Sequence, residues 1–121
     1  MGRRSRKRRR DTAEPAAAAS TSDYDVGDGG SITLRDELSA GTLGKLADLD
    51  ARPAASAEDR WQRRTEFLFE RLMVRWEIAG LPLEGQSELL GRFRLAGADE
   101  RRAVTRALEE HLRLRHPDVE L

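Results

Sequence analysis

The apolar pattern that opens at Ser56-Ala57-Glu58-Asp59 and runs to Gly80 is the longest in the chain, and it constrains the fold more than any other feature. Ser56 followed three residues later by Asp59 has the form of a capping box, which satisfies backbone N–H groups that a first helical turn leaves without partners. Behind it Trp61, Thr65, Leu68, Leu72 and Trp76 recur on one helical face, and Phe69 and Met73 widen that face. Phe67, Val74 and Ile78 take the far side, so the pattern predicts a central helix, 57–79, whose C-terminal half is surrounded by other elements. Gly80 supplies its C-terminal cap, and Pro82 suits the first turn of a further helix, 82–95, carrying Leu83, Leu89, Leu90 and Phe93. Ala96-Gly97-Ala98 is a turn. Asp99 then caps a last helix, 99–115, in which Val104, Leu108 and Leu112 recur at every fourth position until His116-Pro117 ends it.

Upstream, Thr33-Leu34-Arg35-Asp36 has the same capping form, and Leu34, Leu38, Leu43, Leu46 and Leu49 follow at mostly helical intervals. Gly41 and Gly44 weaken that run, so short helical pieces are predicted over 34–49. The following stretch, with Pro53, is a linker. With no clear period-two alternation anywhere, the expected fold class is all-α: a small helical domain of three to five helices with a disordered N-terminal tail. Leu68, Leu72, Trp76, Phe93, Val104, Leu108 and Leu112 are its predicted core.

Residues 1–30 are set apart from this domain. Tyr24 and Val26 are their only sizeable apolar side chains beside Pro15, an alanine run and Gly27-Asp28-Gly29-Gly30, too little to offset the entropy of ordering them. The expected division is a tail, 1–30, and a helical domain, 31–121, the latter comprising a short helical segment at 31–50, a linker at 51–56 and a core at 57–116. The formal net charge of zero conceals a segregation: residues 1–10 carry seven cations and no anion, which leaves 15 basic against 22 acidic residues for the rest. Residues 11–30 hold five acids and no base.

Little in the chain suggests chemistry. Without cysteine there is no disulfide framework and no thiolate, and a reducing cytoplasm is the expected compartment. No apolar run suits a spanning helix or a signal peptide, and Arg6 stands where a myristoylation pattern requires Ser or Thr. His111 and His116, the only imidazoles, are five residues apart and point to different sides of a helix, as surface or helix-end histidines. Glu66/Glu70 and Glu84/Glu88 read as solvated like-charge pairs. No catalytic residue, metal ligand, cofactor or small-molecule substrate is predicted, and the chain reads as not an enzyme. Gly41-Thr42-Leu43-Gly44-Lys45 fails as a phosphate-cradling loop, because Ser39 replaces the first glycine and Leu46 the magnesium-binding hydroxyl. As a G-x-x-G backbone clamp it would need a sheet, which is not expected. The two last helices have helix-turn-helix spacing, but Asp99 and Glu100 would face DNA at the recognition turn, so they read as a plain helical hairpin.

The sharpest signal is the cation run Arg3, Arg4, Arg6, Lys7, Arg8, Arg9 and Arg10. Each phosphate that such a group neutralises releases condensed counterions, so the run points to a polyanion. RNA or a ribonucleoprotein is expected more than DNA, since arginine-rich disordered segments fold on RNA. Arg60, Arg63, Arg64, Arg101, Arg102 and Arg106 are the fallback set. A membrane is not expected, because an apolar second signal is missing. The competing reading is a protein-protein interaction or scaffold module, or a homodimer through the central helix, with a merely solubilising tail.

Thr33-Leu34-Arg35-Asp36-Glu37-Leu38, followed by Leu43 and the Lys45-Leu46 pair, resembles the opening T-L-K-D-x-L segment of a family of small, highly charged, uncharacterised Firmicutes proteins. The resemblance spans residues 33–46 and implies a bacterial cytoplasmic source.

Overall fold

The computed structural model describes residues 20–27 and 30–121. It is an α/β fold and corrects the all-α expectation. The order is β1 (Thr21–Asp25), β2 (Ser31–Arg35), α1 (Ala40–Ala51), α2 (Ala57–Leu72), β3 (Met73–Ile78), β4 (Leu81–Glu84), α3 (Gln86–Leu95) and α4 (Ala98–Arg115). Each of two β-hairpins is thus followed by two helices. The four strands form one antiparallel sheet in sequence order, so α1 and α2 connect neighbouring strands.

The expected central helix ends at Leu72, and its continuation is strand β3. Trp76 lies one helical turn beyond Leu72, which made it fit a helical face, but Val74, Trp76 and Ile78 also alternate with Arg75 and Glu77. Three of those five are β-branched or aromatic, which favours strand. Pairing decides between the two periods: Trp76 stands opposite Ile32 on one side and Leu83 on the other. Gly80 is accordingly a hairpin residue, not a helix cap. Ala79 and Gly80 have φ of 52° and 81°, the two positive values that a type I′ turn requires.

Similar corrections apply elsewhere. Thr21–Asp25, expected in the tail, pairs along its length with β2, the segment expected to open the first helix. Ile32 and Leu34 are buried while Thr33 and Arg35 face away, the signature of a half-buried strand. Helix α1 starts later, capped by Ser39, whose hydroxyl accepts the Thr42 N–H at 3.0 Å. Ser56 caps α2 in the same way through the Asp59 N–H at 3.0 Å. Pro82 sits in edge strand β4, where a missing N–H costs little, and α3 begins at Gln86. Helix α4 occupies nearly the expected residues.

All seven expected core residues are buried. Ile32, Leu34, Met73 and Trp76 project from the sheet into the same cluster as Leu68, Phe69 and Leu72 of α2, Phe93 of α3 and Leu108 and Leu112 of α4. Phe69 stacks on Phe93 with ring centroids 4.6 Å apart and meets Trp76 edge-on. The opposite sheet face is polar: Thr33 donates to Asp23 at 2.6 Å, and Arg75 lies 3.8 Å from Glu84.

Candidate functional site: a groove between two helices

Two polar features emerge from this architecture, one closed and one open. The closed one joins the β1–β2 hairpin to the end of α4. The Asp36 carboxylate is buried and accepts from the hydroxyls of Ser20 and Ser22, with Arg115 at 3.3 Å. Those two hydroxyls hold it below the ordinary carboxylate range despite its burial. His111 is fully buried. Its Nε2 is 2.6 Å from the carbonyl oxygen of Arg35, which can only accept, so Nε2 carries the hydrogen and Nδ1 is bare. The Tyr24 hydroxyl donates to that Nδ1 at 2.8 Å. His116 likewise donates from Nε2 to the Asp36 carbonyl at 2.9 Å.

The cluster places imidazole, carboxylate and hydroxyl groups together, yet the serine hydroxyls bond the carboxylate and neither bonds an imidazole nitrogen. No serine nucleophile is paired with an imidazole base in it. Its groups answer one another, and it fastens a hairpin to a helix. The expectation of surface or helix-end histidines holds for His116, the residue that ends α4, and fails for His111. Val104 and His111 are two helical turns apart, and with Ala107, Leu108 and Leu112 they share the buried face. That spacing was the available signal.

The open feature is a groove of about 430 Å³ between α2 and α4. Glu58, Trp61, Gln62, Thr65 and Glu66 line it from α2, and Ala98, Arg101, Arg102, Thr105, Arg106 and Glu109 from α4. Both sets follow the spacing i, i+3, i+4, i+7, i+8, which brings one face of each helix to the groove. The buried Thr65 and Phe93 reach it from the core. Trp61, placed by the sequence pattern on the buried face, is 43% exposed. The shared face turns Leu68 and Leu72 to the sheet, whereas Trp61, two turns nearer the N-terminus, stays at the groove wall. Arg102 pairs with Asp99, and Glu66 is held by two guanidinium nitrogens of Arg94, Nη2 at 2.8 Å and Nε at 3.1 Å. Arg101 and Arg106 make no ion pair among the described residues.

The predicted polyanion site, Arg3, Arg4, Arg6, Lys7, Arg8, Arg9 and Arg10, lies outside the described residues. Of the fallback cations, Arg63 and Arg64 are staples: Arg63 donates to the Pro53 carbonyl at 2.8 Å, and Arg64 bonds Asp50 and the Glu120 carbonyl. Arg101, Arg102 and Arg106 are brought together at the groove. Gly41 and Gly44 fall inside α1, so no exposed loop of the G-x-x-G type exists there, although a sheet does. Among the described residues no helix is long and apolar enough to cross a membrane, and no three side chains are grouped to hold a metal ion. No protein-family model, curated protein or solved structure matches the chain.

Proposed function

We propose that the chain is a non-enzymatic bacterial accessory module of the cytoplasm, in which residues 3–10 grip RNA or a ribonucleoprotein while the folded α/β domain docks on a protein. The observation that carries this reading is the half-exposed Trp61 beside a groove that also presents Arg101 and Arg106. Tryptophan and arginine dominate binding energy at protein interfaces, because they bring large contact area and several hydrogen-bond donors together. The polyanion half is supported by seven cations in ten residues, with no aromatic among them to stack on a base.

A salt titration tests it. Full-length protein should bind single-stranded RNA with little base preference and a log–log salt slope of about −5, if all seven cations engage at roughly 0.7 per phosphate. Deleting residues 1–10 should abolish that binding. Equal binding by both chains would move the RNA site to the folded domain; absence of binding by either would leave the docking module alone.

A further inference from the structure

We propose that the occupant of the α2/α4 groove is an amphipathic helix of a partner protein, two to three turns long, acidic along one flank and basic along the other. The inference rests on the docking half of the proposed function and names the partner's chemistry. The lining residues of α2 span positions 58–66 and those of α4 span 98–109. At 1.5 Å per residue these walls are about 12 and 16 Å long, the length of two to three helical turns. A groove walled by two helices and floored by core side chains receives a third helix by the same packing that builds a bundle.

The walls differ in charge. The α2 wall presents Glu58 and Glu66; the α4 wall presents Arg101, Arg102 and Arg106 before Glu109 closes its C-terminal end. Glu66 is shared with Arg94 and Arg102 with Asp99, which among the described residues leaves Glu58 on one side and Arg101 and Arg106 on the other without an ion-pair partner. A helix seated with its apolar stripe against Trp61 therefore satisfies both walls only with a basic flank towards α2 and an acidic flank towards α4. Turning that helix end for end exchanges its flanks, so the charges also select one direction of binding.

Three helix-stapled peptides of about 11 residues, the length of the longer wall, test this on the full chain. They share one leucine stripe and carry Glu on one flank and Lys on the other, Glu on both, or Lys on both. Calorimetric titration reports binding by every variant, and Trp61 emission reports it in the unmutated chain, whose other tryptophan, Trp76, is buried. The bipolar peptide should bind at least about tenfold tighter than either control, a loss on the scale of one interfacial ion pair. Arg101→Glu with Arg106→Glu should transfer the preference to the all-Lys peptide, and Trp61→Ala, at a half-exposed site, should weaken binding of the bipolar peptide without altering the melting temperature. Equal binding of the all-Glu peptide would reduce the groove to an anion site and overturn the proposal. So would absence of binding by all three peptides. Sedimentation that shows a dimer abolished by Trp61→Ala would overturn it in favour of a second copy. RNA binding measured on the same samples separates the two readings: retained RNA binding without peptide discrimination sinks this inference alone.

Discussion

The Tyr24 hydroxyl and Nδ1 of His111 are 2.8 Å apart across 87 residues of sequence, and the bond ties an edge strand to the last helix. Nε2 is committed to the Arg35 carbonyl, so Tyr24 is the donor and the neutral imidazole is satisfied at both nitrogens. Tyr24→Phe keeps the ring and removes the donor. A buried acceptor then lacks a partner, which should cost about 1–3 kcal/mol in urea unfolding. Unchanged stability would mean that water replaces the hydroxyl.

Acid should destabilise the fold in two stages. Burial holds the His111 imidazole below its ordinary value of 6.5, so the unfolded chain takes up that proton more readily than the folded one. The contribution is complete above 6.5 and is lost as pH falls below it towards the lower folded value. Asp36, held below 3.8 by the hydroxyls of Ser20 and Ser22, adds a loss of the same sign in more acid solution. The urea midpoint measured against pH should show both. A His111→Gln variant should lack the first stage; its persistence there would assign that stage to another group.

Ala79 carries φ of 52° as the first residue of the β3–β4 turn, a conformation that costs most L-residues about 1–2 kcal/mol. Asparagine adopts it more readily, and Asn-Gly is a preferred pair for type I′ turns. Ala79→Asn should therefore raise stability by about 0.5–1 kcal/mol, less than the full penalty because asparagine retains part of it. A lower melting temperature for this variant would contradict the turn assignment.

Helix α4 and the core stripe were legible because the charged Arg106 and Glu110 stand between Val104, Leu108 and Leu112, which excludes a period of two. Strand β3 was not, since Trp76 satisfies a helical interval from Leu72 and a strand interval from Val74 at once. Only its partners across the sheet resolve that ambiguity: Leu83 in the following strand, and Ile32, which is 44 residues away in sequence. Strand β1 was hidden for a different reason. Its inner face carries Ser22 and Tyr24, polar-tipped side chains that hydrogen-bond to Asp36 and His111, so hydrophobic pattern could not mark it. The groove was half legible: its arginines were visible as a cluster, but the exposure of Trp61 depends on where α4 packs.

A chain starting at Ser31, which a reading of residues 1–30 as a detachable tail would make a complete domain, should instead be severely destabilised. Such a cut removes β1 and turns β2, a central strand, into an edge. It takes away Tyr24, leaving Nδ1 of His111 bare, and it takes away Ser20 and Ser22, leaving the buried Asp36 carboxylate with Arg115 alone. Each orphaned buried group costs about 1–3 kcal/mol, and more where it is charged. Together these losses approach the roughly 5–15 kcal/mol that holds a domain together. Deleting residues 1–10 removes none of these partners, and its melting temperature should match that of the intact chain. Far-UV circular dichroism and urea unfolding of the two shortened chains decide the point. If the chain from Ser31 melts cooperatively at the temperature of the full-length protein, β1 is dispensable and the hydrogen bonds of Asp36 and His111 contribute nothing to the fold.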